Sequence, residues 1–352
     1  MSRSTFASLL NPLGALYGSV VRARAHLYRL SILRSEKIPA PVISVGNITV
    51  GGTGKTPLVE WIARRVAEDD RRRRVCILTR GYGRANIRER VVVSNGEQLL
   101  ADACIGGDEP RLLAEKLLGA AAVVSDRDRA AAARWAMKNL GSDAFILDDG
   151  FQHLRVERDL DIVTIDASDP WGGGRLLPQG RLREPVGALQ RADCIVITRA
   201  EQATNIGELS EEASCLSGGR PVILSCVRTS NLRPLSSAHI DQNFERDPSC
   251  YPIAVFCALG NPQAFVRHVR NDKFNVALEK VFPDHHPYTQ QDADELARAA
   301  SEHNARVLLT TAKDAVKLAS LNFSLPCYVL EAKLEFDDEA KLLALIREVF
   351  KR

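Results

Sequence analysis

Apolar, β-branched runs recur along the chain at 42–45, 75–79, 91–93, 121–124, 144–147, 161–165, 193–198, 221–226, 252–257, 306–310 and 327–330. Between many of them the apolar positions fall at helical spacing, most plainly over 57–68, 109–118, 127–139, 291–303 and 338–350. Short buried strands alternating with amphipathic helices predict an α/β fold with a mostly parallel sheet flanked by helices. Two stretches break the alternation. Residues 166–185 hold Trp171, three consecutive glycines and Pro178 with little periodicity, and so long an unpatterned segment inside a compact domain is usually functional. Residues 228–250 are polar and weakly patterned, and read as part of a connection or irregular excursion between a larger N-terminal and a smaller C-terminal α/β unit.

The N-terminus has its own pattern. Eighteen uncharged residues separate Arg3 from Arg22, with Phe6, Leu9, Leu10, Leu13, Leu16, Tyr17, Val20 and Val21 at helical spacing on one face. That length grazes the requirement for a membrane span, but serines, an asparagine, a proline and glycines dilute it. It also runs into the first strand without a clear small-residue cleavage site, which fits a signal peptide poorly. Arginines follow directly. An amphipathic helix lying in an anionic membrane interface and a helix packed on its own domain both remain open. The expected organisation is an N-terminal membrane-associating helix over 1–36, a catalytic domain over 37–227 and a smaller α/β domain over 228–352.

Composition changes this picture little. A chain of 352 residues suits two domains, and its net charge of +3 gives no reason to expect a nucleic-acid partner. The first 40 residues are nonetheless basic, with Arg3, Arg22, Arg24, Arg29, Arg34 and Lys37 against Glu36 alone. Eight cysteines are scattered without any C-x-x-C pair, which points to reduced thiols in a cytosolic protein rather than disulfides or zinc. No repeat, low-complexity tract or obligate protein partner is implied.

The strongest chemical signal follows the first run. Thr49-Val50-Gly51-Gly52-Thr53-Gly54-Lys55-Thr56-Pro57 lies between a strand and a helix, the order of a phosphate cradle. Its glycines let backbone N–H groups close around phosphate oxygens, Lys55 would reach the β- and γ-phosphates, and Thr56 would sit on Mg²⁺. The helix start adds a positive dipole end. The usual first glycine of the pattern is Thr49 here. A second signal is Phe145-Ile146-Leu147-Asp148-Asp149-Gly150, in which acids close an apolar strand at the edge where ligands collect. One carboxylate can hold the metal or its water while the other orients a nucleophile or base. Gly106-Gly107-Asp108-Glu109-Pro110 reads first, by itself, as an N-cap. Phe282-Pro283-Asp284-His285-His286-Pro287 looks like a metal site, although without a third imidazole nearby in sequence, and a His–Asp acid–base pair is the other option. Arginine-bearing loops at 79–84, 125–129 and 180–185 suit phosphate recognition, although each alone reads as a surface turn.

Together these residues resemble a known family, the tetraacyldisaccharide 4′-kinases that phosphorylate lipid A precursors in Gram-negative bacteria. The resemblance rests on V-G-N-I-T-V-G-G-T-G-K-T-P (45–57), T-R-G-Y-G-R (79–84), G-D-E-P (107–110), D-R-D-R (126–129), L-D-D-G-F-Q-H (147–153), L-L-P-x-G-x-L-R-E-P (176–185), F-x-D-H (282–285) and T-x-K-D-A-V-K (311–317), in order over nearly the whole chain. It implies a P-loop NTPase (RecA-like) fold and transfer of the ATP γ-phosphoryl group to the 4′-hydroxyl of an acylated glucosamine disaccharide 1-phosphate, giving lipid IVA. It also implies a peripheral enzyme on the cytoplasmic face of the bacterial inner membrane, which favours the membrane reading of residues 4–30. Asp108 then resembles the catalytic base, paired with His285 and acting with Lys55. Tyr82, Glu109, Arg129 and Arg183 fall to the lipid acceptor, and Thr56, Asp148, Asp149 and Glu184 to Mg²⁺ and ATP. Ala312 departs from the family, which often has Glu there. A membrane-associated P-loop GTPase is the rival reading. Thr311-Ala312-Lys313-Asp314 imitates a guanine reader, but its Lys and Asp are adjacent. A soluble small-metabolite kinase fits the N-terminus and the long irregular loop poorly.

Overall fold

The computed structural model describes residues 3–82, 84, 86–236, 244 and 251–351, and side chains from residue 13 onward. A 12-stranded sheet runs through it in the order β10-β9-β11-β12-β8-β7-β6-β1-β5-β2-β4-β3. The strands of the first half are β1 (Val42–Asn47), β2 (Val75–Thr79), β3 (Val91–Ser94), β4 (Ala121–Ser125), β5 (Ala144–Asp148), β6 (Leu160–Asp166), β7 (Cys194–Thr198) and β8 (Val222–Pro234). The second half adds β9 (Pro252–Cys257), β10 (Asn275–Val281), β11 (Val307–Thr311) and β12 (Cys327–Phe336). All pairings are parallel except β3 on β4 and β12 on β8. β1, β2 and β4–β7 are buried along their whole length, as expected where helices cover both faces of a parallel sheet.

The helices are α1 (Arg3–Arg29), α2 (Lys55–Asp69), α3 (Ala103–Gly106), α4 (Asp108–Lys116), α5 (Arg129–Leu140) and α6 (Ile206–Leu216), then α7 (Pro262–Asn271), α8 (Gln290–Glu302), α9 (Ala312–Leu318) and α10 (Glu339–Val349). Most begin on a side-chain cap: Asp128 accepts from Ala131 N–H, Asn261 from Ala264 N–H, and Thr289 forms a reciprocal capping box with Asp292.

Register decides where the chemistry sits. Val45 pairs with Asp148, Thr79 with Ser125 and Asp166 with Thr198, so the polar members of these pairs line up along the carboxyl edge of the first half. In the second half, β9, β10 and β11 are likewise parallel, and Gly260, Asp284–His285 and Lys313 follow their carboxyl ends.

Two expectations need correction. The polar stretch from 228 is strand as far as Pro234: β8 pairs with β7 through Val222–Ser225 and antiparallel with β12 through Ser225–Pro234. It alternates between half-buried and exposed positions, so its pattern carries little apolar signal. Of the remainder of that stretch, 237–243 and 245–250 lie outside the described residues. The expected boundary at 227/228 falls inside β8, and α10 of the second part returns to the first. Leu342, Ile346 and Val349 pack with Leu58, Ile62, Val66, Ile162 and Val196, and Arg347 forks onto Asp69 at 2.7 and 2.8 Å.

α1 leans on the irregular segment after β6. Tyr17 donates to Arg183 O at 3.0 Å and Arg24 to Gln152 O at 3.0 Å. Gly14 and Gly18 abut Gln179 and Leu176, the second so closely that a Cβ would lie 2.6 Å from Leu176 Cδ1. Leu13, Leu16 and Val20 instead face outward, 50%, 62% and 59% exposed. Among the described residues no helix is long and apolar enough to cross a membrane.

Candidate active site

The phosphate loop is braced from three sides. Thr49, where the usual glycine is missing, is buried and bridged to Leu182, and Val50 N–H donates to Arg181 O at 2.7 Å. Thr53 Oγ1 meets Thr164 Oγ1 at 2.8 Å, Thr198 Oγ1 donates to Thr53 O at 2.9 Å, and Arg199 donates to Gly52 O at 2.9 Å while paired with Asp166. Gly51 (φ 121°) and Gly54 (φ 77°) take left-handed backbone that side chains resist. A Cβ on Gly54 would stand 3.1 Å from Thr198. Gly54 caps α2 without a side chain, so the first-turn N–H groups have no capping oxygen and suit an anion. Lys55 opens that helix with Nζ 3.4 Å from Asp149, beside Thr56 and Pro57.

Asp148 and Asp149 stand at the end of β5. Asp148 is buried and accepts from Thr79 Oγ1 at 3.1 Å. Burial, then Glu109 and Asp149, pushes its pKa up to about 7. For Asp149 burial works upward too, but Lys55 and Arg183 hold its carboxyl well below the usual range. Arg183 Nη1 donates to both Asp149 oxygens, at 2.9 and 2.8 Å. Arg129 is buried behind the pair and reaches Asp148 O at 3.5 Å. Asp148 is thus a buried acid short of positive charge, which is what a divalent cation would supply. Among the described residues no three His, Cys, Asp or Glu side chains converge to hold a metal alone. That suits Mg²⁺, which takes one or two carboxylates and fills its sphere with phosphate and water.

Glu184 stands apart from Asp148 and Asp149. It is buried away from the cleft, and Arg191 takes both its oxygens, at 2.8 and 3.0 Å, with Gln152 on one of them at 3.1 Å. In this arrangement its oxygens are held by Arg191 and Gln152, and Gln152 Oε1 lies 3.4 Å from Arg183.

Asp108 is not an N-cap. Gly107 occupies that place at φ 100° and Asp108 is the first helical residue of α4. His285 Nδ1 and Lys317 Nζ both lie 3.1 Å from Asp108 Oδ2. Burial works to raise the pKa of Asp108, but His285 and Lys317 prevail and hold it below its ordinary value. Against an ionised carboxylate the ring nitrogen is the donor. His286, the next residue, is turned to Asp292 at 3.2 Å and stacks on Phe282. Glu109 pairs with Lys313 at 3.2 Å, and Lys313 with Asp284 at 3.2 Å. A Cβ on Gly260 would lie 3.1 Å from Gly52 N and 3.2 Å from Asp284, so the phosphate loop and the His285 turn are neighbours across that glycine.

These parts line one cleft of about 1440 Å³, which takes in the loop from Val50 to Pro57, Tyr82, Glu109, Arg129, Asp148, Asp149, Arg183 and His285. Tyr82 is 54% exposed at its rim, with Arg80 over the ring at 5.3 Å. Asp149, Arg199 and His285 are non-glycine residues at positive φ, and all three line the cleft, where strained backbone is commonly found. Lys317, Gln152 and Arg199 were given no role from sequence. Lys317 lies in the T-x-K-D-A-V-K motif and Gln152 in L-D-D-G-F-Q-H, but Arg199 carries no local signal.

Comparison with known proteins shows the family. The model of the family described as tetraacyldisaccharide-1-P 4′-kinase matches residues 6–351. The chain is 38% identical to the tetraacyldisaccharide 4′-kinase of Pelobacter propionicus, over 98% of this chain and 93% of that one. It is 35% identical to that of Halothermothrix orenii, over 97% and 92%. A crystal structure of LpxK from Aquifex aeolicus in complex with ATP superposes with a TM-score of 0.76 at 31% identity, covering 98% of this chain and 99% of that one. The chain therefore belongs to the tetraacyldisaccharide 4′-kinase family.

Proposed function

We propose that this ATP-dependent 4′-kinase of lipid A biosynthesis works through Asp108 as base, with His285 as its partner and Lys55 on the transferred phosphoryl group. The 4′-hydroxyl of tetraacyldisaccharide 1-phosphate attacks the γ-phosphorus of ATP. The bond from that phosphorus to the β–γ bridging oxygen breaks and ADP leaves with the electron pair. Asp108 accepts the hydroxyl hydrogen bond and takes its proton as the new O–P bond forms, and His285 orients the carboxylate and shares the proton. Lys55 and the loop N–H groups from Thr49 to Thr56 neutralise charge on the phosphates, Lys55 leaving Asp149 to do so. Thr56, Asp148 and Asp149 would hold Mg²⁺, which would supply further neutralisation of phosphate charge. Tyr82, Glu109, Arg129 and Arg183 form the acceptor side, the last two also supporting Asp148 and Asp149.

The observation that carries this reading is the 3.1 Å contact of Asp108 with His285, which itself lines the cleft that holds the phosphate loop. The experiment is transfer from labelled ATP to the disaccharide 1-phosphate, resolved by thin-layer chromatography. Lys55→Ala should lose transfer and bind ATP weakly. Asp108→Ala should lose turnover by orders of magnitude with nucleotide affinity nearly intact. Equal losses of turnover and ATP affinity in Asp108→Ala would refute the base role.

The outward apolar row Leu13, Leu16 and Val20, with arginines beyond it, supports a peripheral seat of α1 in an anionic membrane, on the cytoplasmic face where ATP is found. Replacing the three by Glu should release the protein from anionic vesicles while transfer to detergent-dispersed acceptor persists. Undiminished vesicle binding would refute that seat. The division into an ATP-binding part and a smaller second part remains the working organisation, with β8 shared between them.

A further inference from the structure

Two lysines on α9 meet two adjacent acids on α4. Lys317 Nζ is 3.1 Å from Asp108 Oδ2 and Lys313 Nζ is 3.2 Å from Glu109. They lie four residues apart, one helical turn, so they project from the same face of α9. Lys317 is largely enclosed: 11% of its side chain is exposed, it donates to His286 O at 3.1 Å, and its ammonium sits 5.8 Å from the Tyr288 ring centre. Its charge therefore acts on Asp108 through little water. His285 Nδ1 and Lys317 Nζ converge on the same oxygen, Oδ2, while Oδ1 accepts no hydrogen bond among the described residues. A carboxylate pinned by one oxygen on two donors presents its other oxygen in a fixed direction.

We propose that Lys317 is a positioning residue for the phosphoryl transfer: it locks Asp108 Oδ2 beside His285 and so presents Oδ1 to the acceptor hydroxyl. This rests on Asp108 being the base. Lys313 provides the second point of a clamp that ties α9 of the second half to α4 of the first, so the base is oriented only when the two carboxyl edges are together. The charged groups around Asp108 are His285, Asp284, Glu109, Lys313 and Lys317. Lys317 is the cation in direct contact with the carboxylate besides the imidazole.

The test compares Lys317→Met, Lys317→Arg and Asp108→Asn as full-length enzymes, with pH profiles of kcat, KM for ATP and thermal melts. Lys317→Met should lower kcat about tenfold to a hundredfold, as displaced reacting groups do, with KM for ATP within about twofold of wild type. The acid limb of its kcat profile should move to higher pH, because a cation that favours the carboxylate form is gone. Lys317→Arg should restore most of kcat and return the limb toward its original place. If Lys317→Met is inactive, soluble and melts as wild type, yet Lys317→Arg gives no recovery, the positioning role is overturned. An unmoved acid limb in a Lys317→Met enzyme overturns it equally. Should Lys317→Met melt early, Lys313→Ala, which spares Asp108's own contacts, is read in its place: raised kcat sensitivity to pH is not expected there, and a kcat loss with unchanged KM supports the clamp, whereas wild-type kcat overturns it. If Asp108→Asn retains turnover, the base assignment itself fails, whatever Lys317 does.

Discussion

Replacing Gly107 by Ala should damage turnover through the backbone alone. Gly107 sits at φ 100° and ψ 150°, a region that is essentially glycine's own, at a cost of about 1–3 kcal/mol for any other residue. The added Cβ would also lie 2.9 Å from Tyr82 O and 3.1 Å from Gly81 Cα, both main-chain atoms that cannot swing aside. Either the 79–84 loop or the start of α4 must therefore move, and Asp108 is the next residue. A shift near 1 Å at a reacting group costs roughly a hundredfold in rate. Gly119→Ala is the matched control: Gly119 has φ 82°, but a Cβ there meets nothing within 4 Å. The two variants, assayed for kcat, KM for ATP and melting temperature, should both melt a few degrees early, while Gly107→Ala alone loses kcat, with KM for ATP little changed. Wild-type kcat in Gly107→Ala, or an equal loss in Gly119→Ala, would refute the claim that this backbone sets the base.

Other outcomes follow from the same contacts. Arg183→Lys breaks a fork onto both Asp149 oxygens, and a charged hydrogen bond is worth about 1.5–3 kcal/mol, so kcat/KM for ATP should fall by one to two orders of magnitude; parity with wild type would show that Lys55 suffices. Burial foremost, then Arg129, lowers the His153 pKa from 6.5 to about 4, so the folded state favours the neutral ring. Its contribution, about 3 kcal/mol at most, is complete above pH ~6.5 and lost as pH falls toward ~4. Urea unfolding of His153→Gln should flatten that acid slope, and an unchanged slope would exclude His153 as its source. Ending the chain at residue 338 removes Leu342, Ile346 and Val349 from the first core, each worth about 1.5–3 kcal/mol of burial. Such a loss matches the whole stability of many domains, so soluble, cooperative unfolding of the shortened chain would contradict it.

The parts of the fold legible from sequence are those that are locally self-consistent. β1, the glycine loop and α2 declare themselves because a buried run, positive-φ glycines and an amphipathic helix follow in order. β5 declares itself because its buried run stops at Asp148. β10 and the second part of β8 were missed because they are half-exposed with little apolar signal, the latter held by β12, distant in the chain. Asp108 could be told from a helix cap only through the family resemblance, since its partners His285 and Lys317 come from elements 177 and 209 residues away along the chain. Glu184 is singled out only by the family resemblance, and nothing local in the sequence announces its pairing with Arg191.

The last helix has a consequence for biosynthesis. Because α10 completes the apolar packing under the ATP-binding half, that half cannot close its interior until α10 has left the ribosome. Nucleotide-binding competence should therefore wait for α10 rather than arrive when the first half emerges, leaving a long interval in which the nascent polypeptide offers unshielded oily surface to chaperones.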